Sequence, residues 1–285
     1  MHNARAALFN AACLRAQSAS TAAQHERCFE NNAATVMGIR FPNRLGIAAG
    51  FDKHGELGRA AGALGFGCIE LGTLPFDQDL SGITQKTTAR CIPAILGVNL
   101  NLDDLSQQYT GKELLLRIAQ INNTADYISV NLYESRNENS LPVILERLTT
   151  IRQYQNELLQ PHHKVLPIIL KLHTQPLTNT LACLLKRLDS APIDGIAIAF
   201  DLGKPVTKNS YLFWQDSAAQ AHVCHQLEYC RKIIKQETAL IAIGGVSQSQ
   251  HYQDRLNAGV DLVQLHNALV FNGPDVAKRI LRHKR

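Results

Sequence analysis

The sequence predicts a single (β/α)8 barrel, and three observations carry that prediction. Eight short apolar runs recur along the chain with helix-patterned stretches between them. Each run is apolar at nearly every position instead of alternate ones, as in parallel strands buried on both faces. The last two runs each lead through a short loop into a helix start: AIGGVSQSQ turns on two glycines, and LVQLHNALVFNGPDV on a His-Asn pair. A length of 285 residues suits one barrel as one domain.

The strands are expected at 45–49 (LGIAA), 68–71 (CIEL), 94–98 (AILGV), 127–131 (YISVN), 167–172 (PIILKL), 195–199 (GIAIA), 240–243 (LIAI) and 262–265 (LVQL). Helical patterns fall near 53–63, 104–120, 142–159, 178–189, 218–235, 249–258 and 275–283, while DQDLSGITQKTTARC reads as a loop. Ahead of the first strand, VMGIRFPN (36–43) is expected to form a small hairpin around Pro42 and Asn43 that closes the barrel's bottom. Residues 1–30 are assigned to an N-terminal helical extension and 31–285 to the barrel. In the extension, Leu8, Phe9, Ala12, Cys13 and Leu14 share a helical face, read as packing on the body, with a membrane anchor as the alternative.

Composition removes several function classes. With 45% hydrophobic and 19% charged residues, the chain has the balance of a soluble globular protein with a large core. Its net charge of +5 is spread along the chain. The basic tail Lys278, Arg279, Arg282, His283, Lys284 and Arg285 reads as a solvated helix end, so nucleic-acid binding is not expected. No run reaches the roughly 18–20 apolar residues of a membrane span, and the N-terminus lacks the apolar stretch of a signal peptide. The expected location is cytoplasmic, with peripheral contact at a membrane as its variant. Seven cysteines without a CxxC pair suit a reducing compartment, and Cys68 and Cys183, in apolar runs, are expected in the core. His222, Cys224, His225 and Cys230 lie on one predicted helix, and only some of their spacings share a face, so no metal is expected.

In a barrel of this type, chemistry gathers where strands end. Polar residues at those ends are Asp52 and Lys53, Thr73, Asn99 and Asn101, Asn131, Lys171, Asp201, and His266 with Asn267. Gly244 and Gly245 follow the seventh strand, and the loops after the last two strands are the fold's usual phosphate cradle. Glycine lets backbone N–H groups come close to an anion there. Lys171, inside the apolar run VLPIILKLH, needs a partner for its charge; either an anionic or polarised cofactor or a structural salt bridge would supply one.

FPNRLGIAAGFDKHGELGRAAGALGFGCIELGT (41–73) resembles the opening of the dihydroorotate dehydrogenases, especially the class 2, quinone-linked type, which reads FxNPLGLAAGxDKxGE…LGxGxxExGT there. IDGIAIA (193–199) and ALIAIGGVSQSQHYQDRLNAGVDLVQLHNALVFNGPDVAKRI (239–280) are similar to the family's closing third, and YISVN and PIILKL to its middle strands. The resemblance runs from about residue 36 nearly to the end, as a divergent member. It implies FMN as cofactor. Ala49 and Gly50 would line the flavin, and Lys53 would reach flavin and substrate. Thr73, Asn99 and Asn131 match residues that bond the isoalloxazine or the substrate. Lys171 matches the lysine beside the flavin's N1–C2 edge, where it stabilises negative charge on the reduced ring. Gly244, Gly245, His266 and Asn267 match phosphate-binding positions.

The departures fall on the substrate side. DQDLSGITQKTTARC stands where the family has an asparagine-rich NRMGFNN-like loop, and Ala199-Phe200-Asp201 stands where it has TNT. The GGLSG element has no clear counterpart in KNSYLFWQDSAAQ, where Ser217 is the candidate. The base loop NxSSPNTPGLR is replaced by Asn131-Leu132-Tyr133-Glu134-Ser135-Arg136-Asn137. Aligned without a gap, Glu134 takes the base position; with one inserted residue, Ser135 and Asn137 match the family's Ser and Asn. Lys53, Asn131 and Asn137 are the substrate-binding candidates. The N-terminal region is shorter than the family's two-helix quinone element. The reading is an FMN-dependent CH–CH oxidoreductase acting on dihydroorotate in the parent chemistry, with a quinone as the acceptor the resemblance suggests. A catalytically silent FMN-binding or cofactor-free pseudoenzyme with an interaction role, and a non-redox barrel binding a sugar or nucleotide phosphate, are the rivals.

Overall fold

The computed structural model describes residues 2–18, 33–74, 80, 92–101, 111–132, 141–158, 165–173, 177, 179–200 and 207–282. The chain opens with α1 (His2–Ser18) and a hairpin of β1 (Ala34–Val36) and β2 (Ile39–Phe41). Eight parallel strands follow: β3 (Leu45–Asp52), β4 (Cys68–Leu74), β5 (Ile95–Asn101), β6 (Tyr127–Asn131), β7 (Ile168–His173), β8 (Gly195–Ala199), β9 (Ala239–Ile243) and β10 (Leu262–Leu265). Each pairs with the next and β10 pairs with β3, which closes the barrel. The helices between them are α2 (Gly111–Asn122), α3 (Leu141–Leu158), α4 (Asn179–Asp189), α5 (Lys208–Phe213), α6 (Ser217–Ile233), α7 (Ser249–Asn257), α8 (Asn267–Asn272) and α9 (Val276–Leu281).

All eight expected strands form. Alternate residues of each strand face two separate cores. Ile47, Ile69, Val98, Val130, Leu170, Ile198 and Leu240 pack outward against the helices. Cys68, Tyr127, Ile169, Ala197, Ile241 and Leu262 face the interior, together with Val36, Ile39 and Phe41 of the hairpin. The hairpin therefore plugs the bottom, as expected, but its turn is not at Pro42 and Asn43. The chain reverses at Met37 and Gly38, with φ of 53° and 73°, the left-handed pair that matches strand twist in a two-residue hairpin. Asn43 is buried instead, donating from Nδ2 to the Gly65 carbonyl at 3.1 Å and accepting from the Leu45 N–H at 2.9 Å.

One device repeats at the bottom of β6, β8 and β10. Asp126, Asp194 and Asp261 each accept an N–H from the start of the preceding strand, from Leu96, Ile168 and Leu240, at 2.8–2.9 Å. Arg59, Arg152 and Arg231 pair with these carboxylates and so clamp the outer layer to the strand starts. The helix expected near 53–63 is a 3-10 segment, Gly58–Leu64. Buried Asp52 precedes it and accepts the N–H groups of Glu56, Leu57 and Gly58 at 2.8–3.1 Å. That carboxylate is spent on structure, and burial raises its pKa above the ordinary value.

α1 packs on the body. Phe9 meets Phe51 with ring centroids 5.4 Å apart, and Ala12 and Ala16 are buried. Leu14 does not share that face: it is 66% exposed, because its position turns it away while Ala16 takes the buried place. Cys68 is buried as expected, whereas Cys183 lies exposed on the outer side of α4. Among the described residues no helix is long and apolar enough to cross a membrane, and no cluster of His, Cys, Asp or Glu could hold a metal ion.

Candidate functional site

The barrel interior changes character with height. Ala239, Leu262, Tyr127 and Ile169 form an apolar floor over the hairpin. One step up, Glu70 and Lys171 form a fully buried ion pair across the barrel. The Glu70 carboxylate also accepts from Tyr127 Oη at 3.2 Å, Ser129 Oγ at 3.1 Å and Gln264 Nε2 at 2.7 Å. Room for the tyrosine ring comes from Gly97, where a Cβ would stand 2.3 Å from it. Burial, and then the nearby Glu70 charge, push the Tyr127 phenol well above its ordinary pKa, so it stays a donor.

Above this pair lies an amide cluster at the strand ends. Asn99 and Asn131 bond reciprocally, each Nδ2 donating to the other's Oδ1 at 3.0 Å. Thr73 Oγ1 donates to Asn99 Oδ1 at 2.9 Å and accepts from Asn131 Nδ2 at 3.2 Å. Asn99 Nδ2 also reaches Ser129 Oγ at 2.9 Å, which links the cluster to Glu70 below. Asn99 is buried, Asn131 half-buried and Thr73 exposed, so the cluster opens at the barrel's top. Lys53 is exposed beside it, and Ala49 and Gly50 are half-buried at the end of β3.

The β9–β10 corner completes the rim. Gly244 and Gly245 turn with φ of 89° and 71°, and the Gly244 N–H is held by the Gln264 carbonyl at 2.8 Å. Gln220 of α6 donates to the Gly245 carbonyl at 2.6 Å. His266 Nδ1 lies 3.0 Å from Asn267 Oδ1 at the start of α8, and its ring meets Phe51 edge-on at 6.2 Å. Buried Phe200 packs edge-on against Trp214 at 6.5 Å, on the α6 side of the same corner.

The predicted residues Ala49, Gly50, Lys53, Thr73, Asn99, Asn131, Lys171, Gly244, Gly245, His266 and Asn267 thus sit at or near the C-terminal ends of their strands in one barrel. Lys171 is the one that departs from a position on the mouth: it lies inside, held by Glu70. Glu134, Ser135, Asn137, Asp201 and the stretch after β4, apart from buried Leu80, lie outside the described residues. Ser217 is exposed at the first turn of α6, whose N-cap is Asp216.

No family model matches the chain. Curated relatives named dihydroorotate dehydrogenase (quinone) do match it. That of Acinetobacter baylyi is 26% identical over 86% of this chain and 85% of its own length. That of Citrobacter koseri is 28% identical over 87% and 86%. Over most of its length the chain is similar to proteins named dihydroorotate dehydrogenase (quinone), at 26–28% identity. Solved structures of DHODH from Eimeria tenella share its fold: one in complex with ferulenol superposes with a TM-score of 0.71 at 17% identity, covering 99% of this chain and 89% of that one. The ligand-free form gives 0.74 at 16% identity, over 98% and 92%.

The sequence reading passed over Glu70, Tyr127, Ser129 and Gln264. Each is a polar residue inside an otherwise apolar strand, the same signal that singled out Lys171. Taken together they would have supplied its partner. Arg255 was also missed, because a charged residue in the polar-looking helix α7 gives no hint of burial.

Proposed function

We propose that the chain is an FMN-dependent CH–CH oxidoreductase of the dihydroorotate dehydrogenase type whose substrate side has been rebuilt. The observation that carries this is the stack of an amide cluster on a buried Glu70–Lys171 pair, set beside a double-glycine turn on one barrel rim. These residues fit a flavin monophosphate. The glycine turn offers a close approach for the phosphate, with His266 and Asn267 on the next strand end. Thr73, Asn99 and Asn131 satisfy one another in the structure, and they can turn the same donors and acceptors to a polar ring edge. Lys171 places a cation below that edge, where negative charge on a reduced ring would need one. When bound, the flavin supplies the hydride acceptor.

The remaining chemistry belongs to the chain. Proton removal falls to Glu134 or Ser135 after β6, a carboxylate or a hydroxyl, either of which can act as a base. Lys53 and Asn131, with Asn137, would orient the substrate. A quinone is the acceptor suggested by the relatives' name, at the cytoplasm or at a membrane surface. Phe200 supports the idea of a rebuilt substrate side: its ring is committed to Trp214 where the resemblance expects an amide. Each unmatched polar contact costs roughly 1–3 kcal/mol, so two or three of them lower kcat/KM for dihydroorotate on the order of a hundredfold to ten-thousandfold.

Anaerobic mixing of the flavin-loaded protein with dihydroorotate tests this reading. The expected result is a flavin spectrum that bleaches only slowly and at high substrate. Bleaching within seconds at low micromolar substrate would show an intact dihydroorotate site. A protein that takes up no flavin would end the proposal.

A further inference from the structure

We propose that Arg255 is the counter-charge of the cofactor corner, a buried positioning residue that makes the Gly244–Gly245 turn prefer a phosphate monoester. This rests on the flavin reading of that corner and specifies which of the chain's own groups supplies the selectivity. Arg255, on α7, is completely buried. Its Nη2 donates to Gln220 Oε1 at 2.7 Å and its Nη1 to Cys224 Sγ at 3.1 Å, while its Nε has no partner. Both partners are neutral, since burial raises the Cys224 thiol above its ordinary value. Among the described residues no carboxylate forms an ion pair with Arg255, and the adjacent Asp254 accepts from Gln250 at 2.8 Å. A buried cation without a counter-charge is strongly disfavoured, and a guanidinium does not escape by losing its proton.

The missing negative charge has one well-defined place to sit. A Cβ at Gly245 would stand 3.5 Å from Arg255 Nη2, so the cation lies directly behind the turn. Gln220 joins the two, receiving from Arg255 and donating to the Gly245 carbonyl. In a trans peptide the following N–H points opposite to that carbonyl, so this bond aims the Val246 N–H away from Gln220. Among the described residues, neither the Gly245 nor the Val246 N–H donates to a backbone carbonyl. The start of α6 also reaches this corner, where Ser247 Oγ donates to Gln215, but its first free N–H groups, Ala218 and Ala219, are taken by Asp216. The charge behind the turn is that of Arg255, and a dianionic phosphate in front of it balances the cation across a low-dielectric layer.

The test compares FMN with riboflavin, which differ by the phosphate alone, on flavin-free full-length protein. Binding is read by fluorescence quenching, and melting is followed without flavin and with inorganic phosphate. Wild type should prefer FMN. Arg255→Met should lose FMN affinity on the order of tenfold to a hundredfold and keep its riboflavin affinity, while Arg255→Lys restores most of the preference. The flavin-free Met variant should melt at or above wild type, and phosphate should raise the Tm of wild type but not of that variant. An unchanged FMN-to-riboflavin ratio would overturn the proposal. So would equal loss of both ligands with a lowered Tm, or a Met variant that does not fold, since each marks a merely structural arginine. Wild-type protein that binds neither flavin would instead defeat the flavin reading, and the phosphate arm would still report on Arg255.

Discussion

Two buried cations, Lys171 and Arg255, are 2% and 0% exposed, yet their surroundings are opposite. Lys171 faces a carboxylate that is itself held by a phenol, a hydroxyl and an amide. Among the described residues Arg255 bonds to an amide and a thiol, and the adjacent Asp254 carboxylate acts on it without forming an ion pair. The first charge is balanced within the protein and ties β4 to β7 across the barrel. The second is not balanced and lies behind a glycine turn at the rim. A cation compensated internally holds the fold with or without a ligand above it, whereas one left uncompensated beside an open turn depends on a ligand for its counter-charge.

This contrast makes its largest prediction at Lys171. Lys171→Met leaves Glu70 buried without its counter-charge and should cost about 3–5 kcal/mol in urea unfolding. Adding Glu70→Gln should recover much of that loss, because the double variant removes both charges. A single variant as stable as wild type would mean that the pair is not held as described. Next comes Tyr127→Phe, which deletes one donor to a charged acceptor and should cost about 1.5–3 kcal/mol by the same measurement.

The smallest effect concerns pH and the neighbour of the unbalanced cation. Burial, and then the Arg255 charge, hold the His251 imidazole below its ordinary value of 6.5. Below that value the unfolded chain binds a proton that the folded one refuses, so stability falls on acidification from 6.5 towards the lower folded value. His251→Gln should flatten this part of a Tm–pH profile. An unchanged slope would show that His251 titrates normally, and with it that the Arg255 side is more hydrated than the structure has it.

The two cations also mark what the sequence can reveal. The eight strands were legible because parallel barrel strands are apolar on both faces, and Lys171 stood out against that background. Glu70 carried the same signal within CIEL but was read as part of an apolar run. Arg255 was invisible, since its helix is polar along most of its length and burial there depends on how α6 and α7 meet. The hairpin was found, but Pro42 and Asn43 drew its turn to the wrong place; the left-handed pair Met37-Gly38 carries a weaker sequence signal, and Asn43 is claimed by a tertiary bond to Gly65. Leu14 and Cys183 were misplaced by reading apolar character as burial, when a helix has room on its buried face for only some of its apolar residues. Of the site, the strand-end residues were legible and the network beneath them was not, because it is written across four strands distant in sequence.

The proposed function puts the phosphate of a flavin at the β9–β10 corner. Titrating flavin-free protein with FMN, for wild type and for Gly245→Asp, tests it directly. The aspartate sends a side chain towards Arg255 and Trp214, behind the turn, where its carboxylate would take up the arginine's charge in place of the phosphate, at a backbone angle that disfavours any side chain. The account predicts saturable binding of FMN by wild type and loss of that binding in the variant. Equal binding by the two proteins would contradict it.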